Sequence, residues 1–231
     1  MVGEMVGSRK VPTHLAINTA HVKKWAQEQK KDLSEVLKRH FEILHEIIDY
    51  QLKNSIRVVT VGLTDDDPDV LKSLKDFFYS LSDDERIHKN QVRVFVIGQW
   101  YQVESELADS FKQAMEKTKM YDNFFLNFAV NYDGREEVLS AIKLMVRKIN
   151  AKKLSEDDLN ADAIKENLSS SYFPPPELII ETRRSYSGLL LWDAKGAVIH
   201  FSSRRWPTFE RKDLDEAINF YNSVIAKDKE R

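Results

Sequence analysis

The chain has 231 residues, 42% of them hydrophobic and 10% aromatic, which is enough for the core of one large domain or two small ones. A formal net charge of −2 argues against a chain-wide positive field for nucleic acid and against an acidic, disordered chain. Because there is no cysteine, disulfide frameworks, thiol nucleophiles and zinc-cysteine sites are excluded.

The sequence shows no membrane-spanning or secretory signal. No apolar run approaches the roughly 20 residues that a spanning helix needs. The opening residues, MVGEMVGSRK, lack the apolar centre of a signal peptide. We therefore expect a cytoplasmic protein whose membrane contact, if it has any, is peripheral.

Six short apolar runs, rich in β-branched and aromatic residues, predict strands. In chain order they are LAIN from Leu15, RVVTVGL from Arg57, VRVFVIG from Val92, FFLNFAV from Phe124, ELIIET from Glu177 and AVIHFS from Ala197. After the first run, the residues from Asn18 to Lys24 are interpreted as a loop.

Apolar residues spaced by three or four positions predict helices between and after these strands. Four such stripes run from Leu33 to Leu52, from Leu107 to Met115, from Val138 to Ile149 and from Leu214 to Ile225. Helices of this length between strands imply crossover connections, and hence an α/β fold with a mostly parallel six-stranded sheet flanked by helices. We expect a single domain at residues 14–227, between an N-terminal extension at 1–13 and a tail at 228–231.

The acidic run DDDPD, from Asp65 to Asp69, has the spacing of the DDxxD motif that chelates magnesium and diphosphate in all-helical prenyltransferases. Pro68 suits a first helical turn, and carboxylates there meet the positive end of the helix dipole. Helix capping is therefore the favoured interpretation of this run, and a metal site is the alternative.

Other familiar site motifs are missing. The six histidines form no i, i+4 pair on a predicted helix, and no glycine pattern matches a dinucleotide, Walker-type or serine-hydrolase motif. Two arginine pairs, Arg183–Arg184 and Arg204–Arg205, follow predicted strand ends, where α/β sheets bind ligands. Surface arginines are the favoured interpretation, with phosphate binding as the alternative. Trp206 and Phe209, beside the second pair, are typical of protein interfaces.

Three stretches in order, HLAINTAHVKKWA, NFAVNYDGREEVLSAI and the run from Pro174 to Ile218, resemble the cis-prenyltransferase family of undecaprenyl and dehydrodolichyl diphosphate synthases. The family motifs N-Y-G-G-R-x-E, L-L-W and W-P-x-F correspond here to Asn131–Glu137, Leu190–Trp192 and Trp206–Phe209. The resemblance extends from about His14 to about Lys227. It implies the α/β fold of that family.

The same resemblance places unexpected residues at the family's reactive positions. The metal-binding aspartate of D-G-N-G-R-W-A falls on Ala20, and its phosphate loop falls on 21–24, which contains no glycine. The first diphosphate-binding arginine of R-T-x-G-E-x-R falls on Glu181, and a second metal contact falls on Val198. A methyl group cannot bind a hard cation.

These departures lead us to expect a non-catalytic accessory subunit of a heteromeric cis-prenyltransferase, similar to the Nogo-B receptor type. It would pair with a catalytic homologue, as a heterodimer or heterotetramer, and stabilise or activate it in making long-chain polyprenyl diphosphate, a precursor of carrier lipids such as dolichol. On this hypothesis the chain has no catalytic, cofactor or metal residues of its own, and Mg²⁺ belongs to the partner. No nucleic-acid partner is expected. The resemblance implies a partner interface at Asn131, Arg135, Glu137, His200, Phe201, Arg204, Arg205, Trp206 and Phe209.

Two alternatives remain open. The first is a divergent, catalytically active homodimeric cis-prenyltransferase, which would use Asp65 to Asp69 and the arginine pairs. The second is a protein that binds prenyl lipids and needs an open apolar tunnel. Phe77 and Phe78, in a helix beside the tunnel expected from the family, would fill it, although core packing explains them equally well.

Overall fold

A computed structural model describes residues 10–19, 21–63 and 67–229 of the chain. These residues contain six strands: β1 (His14–Thr19), β2 (Val58–Leu63), β3 (Val92–Ile97), β4 (Phe124–Val130), β5 (Leu178–Glu181) and β6 (Val198–Phe201). The same residues contain eight α-helices: α1 (Val22–Glu28), α2 (Leu33–Lys53), α3 (Pro68–Leu81), α4 (Glu85–Lys89), α5 (Ser105–Thr118), α6 (Gly134–Asn150), α7 (Ala161–Glu166) and α8 (Arg211–Lys229). All six predicted strands and all four predicted helices are confirmed.

The strands form one sheet in the order β3-β4-β2-β1-β5-β6, and every neighbouring pair is parallel. The predicted α/β class and parallel sheet are therefore confirmed. Because all strands point the same way, their carboxyl ends lie along one edge of the sheet, and the loops that follow them meet there.

Alternate residues of the strands face two different cores. From β1, Leu15 and Ile17 join a large core to which α2, α3, α5 and α8 contribute, whereas Ala16 joins a smaller core on the opposite face. The smaller core includes Leu189 and Leu190, from the irregular segment that links β5 to β6. Strands buried on both faces explain why the sequence shows continuous apolar runs instead of alternation.

The segment after β1 differs from its sequence-based interpretation, because α1 begins at Val22 where a loop was expected. The usual signals for a helix start are missing: His21, at the N-cap, has φ 65°, its side chain makes no capping hydrogen bond, and the first turn contains no acid. Burial of Val22 and Ala26 against the large core stabilises this short helix instead.

The capping interpretation of the acidic run is confirmed at Asp67. Its carboxylate accepts a hydrogen bond from the Asp69 N–H at 3.0 Å, and Pro68 occupies the first turn of α3. Asp65 and Asp66 lie outside the described residues.

Gly134 allows the start of α6 to lie against the β5–β6 segment. A Cβ at this position would come within 2.3 Å of the Gly188 carbonyl oxygen and 2.5 Å of the Leu191 Cβ. Only glycine fits here without a shift of the backbone, which accounts for the glycine that follows Asp133 in NYDGREEV.

Candidate active site: a basic cleft at the carboxyl edge of the sheet

A cavity of about 740 Å³ lies where β1, β5 and β6 end. We call it the basic cleft. It is lined by His21, Lys24, Trp25, Glu28, Thr182, Arg183, Arg184, Phe201, Ser202, Ser203, Arg204 and Arg205. The three strands are neighbours in the sheet, so the loops that follow them are brought together although they are far apart in sequence.

The cleft concentrates positive charge. Among the described residues that line it, five are lysine or arginine and one is a carboxylate, which gives these residues a net charge of +4 with histidine neutral. Lys24, Arg183 and Arg184 form no ion pair with any described residue, and Arg183 donates only to the Ser185 hydroxyl, at 3.1 and 3.2 Å. Unpaired guanidinium groups in a concave site are the donors that bind phosphate oxygens best.

The second arginine pair is partly neutralised. Arg205 forms an ion pair with Glu28 across the cleft. Arg204 contacts Glu210 at 2.9 Å and the buried Asp213 at 3.5 Å. These contacts orient both guanidinium groups but reduce the charge they offer to a ligand.

A buried anchor fixes the loop that carries this pair. Trp206 donates its indole N–H to Nδ1 of His40 in α2 at 2.6 Å, and Arg39 donates to the Phe209 carbonyl at 3.0 Å. Trp206 and Phe209 stack on each other and are almost fully buried within this chain. They therefore support the arginine loop from inside the protomer, a role that sequence reasoning missed because both looked like exposed interface residues.

Burial lowers the pKa of His40 to about 3, so its imidazole is neutral near pH 7. Since Nδ1 accepts the indole N–H, the proton of the neutral ring is on Nε2. That Nε2 has no hydrogen-bond partner among the described residues. The tryptophan–histidine contact is thus a neutral hydrogen bond whose direction is fixed.

Beside the cleft, an ion-pair cluster joins α1 to α3. Lys23 contacts Asp67 at 2.9 Å and Asp69 at 2.8 Å. These contacts raise the pKa of Lys23 and lower that of Asp67. The two described carboxylates of the acidic run are therefore occupied by a lysine.

The space between β1, α2 and α3 is almost filled. The cavity there, lined by Thr19, Val22, His40, Leu63, Val70 and Leu74, measures about 10 Å³, roughly what a single water molecule requires. Phe77 stacks on Phe41, and both Phe77 and Phe78 pack edge-on against Phe128. Both phenylalanines belong to the core, and a prenyl chain could enter this space only if side chains moved.

Glu181 and Val198, which the resemblance places at reactive positions of the family, do not line the cleft. Glu181 is fully buried, and its carboxylate accepts from Ser187 N–H, Ser187 Oγ and Asn18 Nδ2 at 2.6 to 3.0 Å. Val198 begins β6, about 10 Å along the strand from Phe201. The predicted charge reversal at Glu181 is therefore absent from the cleft, where Arg183 and Arg184 lie instead. Ala20, the third such residue, lies outside the described residues.

The residues of the predicted interface fall into two groups. Asn131, Arg135 and Glu137 follow β4, whereas those from His200 to Phe209 follow or belong to β6, and three strands separate β4 from β6. Glu137 is buried and accepts from the Tyr132 hydroxyl at 2.6 Å and the Ser170 N–H at 3.0 Å. Phe201 is 48% exposed and lines the basic cleft. Trp206 and Phe209 are almost fully buried within this chain, and contact of the exposed residues of either group with a partner stays a prediction.

Within residues 10–19, 21–63 and 67–229, no three histidine or carboxylate side chains group as a metal site requires. No helix among them is both long enough and apolar enough to span a bilayer.

Comparison with known proteins places these features in a family. A family model described as putative undecaprenyl diphosphate synthase matches residues 22–227. A tritrans,polycis-undecaprenyl-diphosphate synthase (geranylgeranyl-diphosphate specific) of Thermoplasma acidophilum is 32% identical over 221 residues, which are 91% of this chain and 86% of that protein. An isoprenyl transferase of Clostridium tetani is 29% identical over 222 residues, covering 92% and 87% of the two chains.

Solved structures share the fold. The lavandulyl diphosphate synthase of Lavandula x intermedia, determined with dimethylallyl diphosphate, aligns with a TM-score of 0.82 at 22% identity, over 91% of this chain and 94% of that one. A probable undecaprenyl diphosphate synthase of Campylobacter jejuni aligns with a TM-score of 0.70 at 19% identity, over 92% and 96%.

These relatives correct one expectation. We expected a chain that is not an enzyme on its own, but relatives that are 32% identical over most of its length are named as synthases, and none of the comparisons supports a Nogo-B-receptor-like subtype. The names of these relatives overturn the expectation, and two of the four positions on which it rested, Glu181 and Val198, do not line the cleft. The chain belongs to the prenyltransferase family that is described as putative undecaprenyl diphosphate synthases.

Proposed function

We propose that this protein is a catalytically active cis-prenyltransferase with a divergent site, which joins isopentenyl diphosphate to an allylic diphosphate in the basic cleft. The observation that carries the proposal is the group of five cationic side chains, three of them without ion pairs among the described residues, at the carboxyl edge of a parallel sheet. The names of the relatives support the same reaction class.

The cleft suits the charge that this reaction develops. As the allylic C1–O bond breaks, its electron pair leaves with the diphosphate, whose negative charge increases. A new bond then joins allylic C1 to C4, the terminal alkene carbon of isopentenyl diphosphate, which leaves a positive charge on C3. Loss of a proton from C2 to the released diphosphate forms the new C2–C3 double bond. Guanidinium groups that are already in place stabilise the departing anion with little reorganisation.

The two arginine pairs suggest a division of labour. Each pair would hold one of the two diphosphates: Arg183 and Arg184 are not neutralised by described carboxylates, whereas Arg204 and Arg205 are held by Glu210, Asp213 and Glu28. Trp25 and Phe201, which also line the cleft, would cover the allylic group.

Magnesium, which the family resemblance implies, does not fit the described residues of the cleft. Glu28 is paired with Arg205, and the two aspartates before and within α3 are paired with Lys23. Glu181 is turned away from the cleft. No step of the proposed reaction is therefore assigned to a metal.

The test is incorporation of labelled isopentenyl diphosphate by the purified full chain, with dimethylallyl, farnesyl or geranylgeranyl diphosphate as the allylic substrate. Replacing Arg183 and Arg184 by glutamine should lower kcat/KM by about 10-fold or more per arginine, because a charged hydrogen bond to phosphate contributes about 1.5–3 kcal/mol. Arg147→Gln, an exposed change on α6, is the matched control and should leave kcat/KM unchanged.

Pairing with a homologue, predicted from the resemblance, is a separate proposal. Incorporation by the chain alone and by the chain co-expressed with a homologue from the same genome distinguishes the two cases. No incorporation by the chain alone with any of the three allylic substrates contradicts the proposed function.

A further inference from the structure

We infer that the basic cleft binds the diphosphate of its substrate directly through arginine and lysine, without a divalent cation. The inference rests on the proposed function and specifies how that site recognises its ligand. Its basis is the disagreement between the cation that the family resemblance implies and the side chains that are present.

Mg²⁺ requires oxygen atoms in octahedral geometry and usually takes one or two carboxylates together with phosphate oxygens. Among the described residues that line the cleft, Glu28 is the one carboxylate, and it forms an ion pair with Arg205. A metal ion at Glu28 would have to displace that guanidinium group.

Other carboxylates around the cleft are already engaged, including Glu210 and Asp213, which both contact Arg204. Lys23 contacts both Asp67 and Asp69, and the Asp67 carboxylate also accepts a backbone N–H as the cap of α3. The oxygens of Glu181 accept from Ser187 and Asn18 in a fully buried setting. Each of these carboxylates therefore already contacts a cation or hydrogen-bond donors.

The cleft stays positive even when Glu210 and Asp213, which contact Arg204, are counted with its described lining residues, and this charge repels a divalent cation and attracts a diphosphate. A metal ion in such sites neutralises phosphate oxygens, and here Lys24, Arg183 and Arg184 can do so without first breaking an ion pair with a described residue. Arginine also binds phosphate through two parallel N–H bonds, which supplies the geometry that a metal ion would otherwise impose.

Isothermal titration of the full chain with inorganic pyrophosphate tests the inference, in buffer with EDTA and in buffer with Mg²⁺. We expect dissociation constants that agree within about threefold, a difference of less than 1 kcal/mol. In EDTA, Arg183→Gln should weaken binding at least about 10-fold, whereas Arg147→Gln should leave it unchanged.

The other outcomes are separable. Binding that appears only with Mg²⁺ overturns the inference and leaves the proposed function standing. If that binding is also lost in the double variant Asp65→Asn, Asp66→Asn, the metal ligands lie in the segment outside the described residues. If pyrophosphate binds in neither buffer, the cleft is not a diphosphate site and the proposed function is wrong as well.

Discussion

Glu28 is the acidic side chain of the basic cleft, and its ion pair with Arg205 competes with any anionic ligand. Removing the competing charge should free Arg205, which is 62% exposed, to turn toward a phosphate. Glu28→Gln should therefore tighten pyrophosphate binding by about two- to fivefold, as expected for loss of one exposed ion pair of about 0.5–1 kcal/mol.

Isothermal titration measures the effect of this change, and Glu106→Gln is a matched control. Glu106 also forms an exposed ion pair, with Lys75, but lies outside the cleft. Unchanged or weaker binding by Glu28→Gln contradicts the assignment of Arg205 to the ligand site.

Two buried histidines should make the stability of the fold depend on pH. Burial lowers the pKa of His40 to about 3 and that of His14 to about 4, although the His14 bond to the Pro174 carbonyl opposes its shift. An unfolded histidine has a pKa of about 6.5. Below pH 6.5 these histidines bind protons in the unfolded state but not in the folded state. The free energy of unfolding is therefore highest above pH 6.5 and decreases as the pH falls toward the pKa values of the folded state.

Between pH 7 and pH 5 each histidine should lower the free energy of unfolding by about 2 kcal/mol. The loss is 1.36 kcal/mol per pH unit and accumulates over the roughly 1.5 units between the unfolded-state pKa and pH 5. Urea denaturation at the two pH values measures this loss. In His40→Asn the loss should shrink by about 2 kcal/mol. A pH dependence equal to that of the wild type would show that His40 is charged in the folded state.

The loop after β6 is held in place by side chains of α2. The Trp206 indole reaches His40, and Arg39 reaches the Phe209 carbonyl, so two adjacent residues of α2 position the loop with Arg204 and Arg205. The 3₁₀ turn at Trp206–Thr208 is too short to maintain this position alone.

Trp206→Phe keeps an aromatic ring but removes the N–H donor and leaves His40 Nδ1 buried without a partner. We expect a loss of about 1–3 kcal/mol of stability. We also expect weaker pyrophosphate binding at a temperature where the variant is fully folded. Trp100→Phe, in the turn after β3 at the far edge of the sheet, is the control and should not change binding. Equal binding by Trp206→Phe and wild type would show that this anchor does not position the arginines.

Strong periodic patterns made most of the elements predictable. The six apolar runs and the four long amphipathic stripes correspond to strands and helices because burial determines both the pattern and the structure. The start of α1 was not predictable from local signals, since it has neither a capping side chain nor an acidic first turn. Its stability comes from Val22 and Ala26 packing on the large core, and such contacts are long-range.

The candidate site was predictable only in part. Both arginine pairs were recognised from their positions after strands, but their convergence with Lys24 depends on the strand order β1-β5-β6. Ungapped matching to a family motif identified Glu181 as a residue facing the ligand, whereas the sheet buries it beneath Ser187. A motif gives the position along a strand but not the surroundings of the side chain.

Positive side chains are concentrated in the cleft, although the net charge of the whole chain is slightly negative. A chain with net charge −2 carries a cleft of net charge +4, so the positive field is local and concave. Such fields concentrate small anions and raise their association rates. The cleft therefore suits a small diphosphate better than the extended backbone of a nucleic acid.

The central claim is that this chain catalyses prenyl transfer by itself, and its most direct test is product detection by mass spectrometry. The purified chain, free of any homologue, is incubated with dimethylallyl diphosphate and isopentenyl diphosphate, and the Arg183→Gln, Arg184→Gln double variant serves as the reference. Our account predicts a prenyl diphosphate at least one isoprene unit longer than the allylic substrate, formed by the wild type and strongly reduced in the double variant. Unchanged substrates after incubation with the wild-type chain would contradict it.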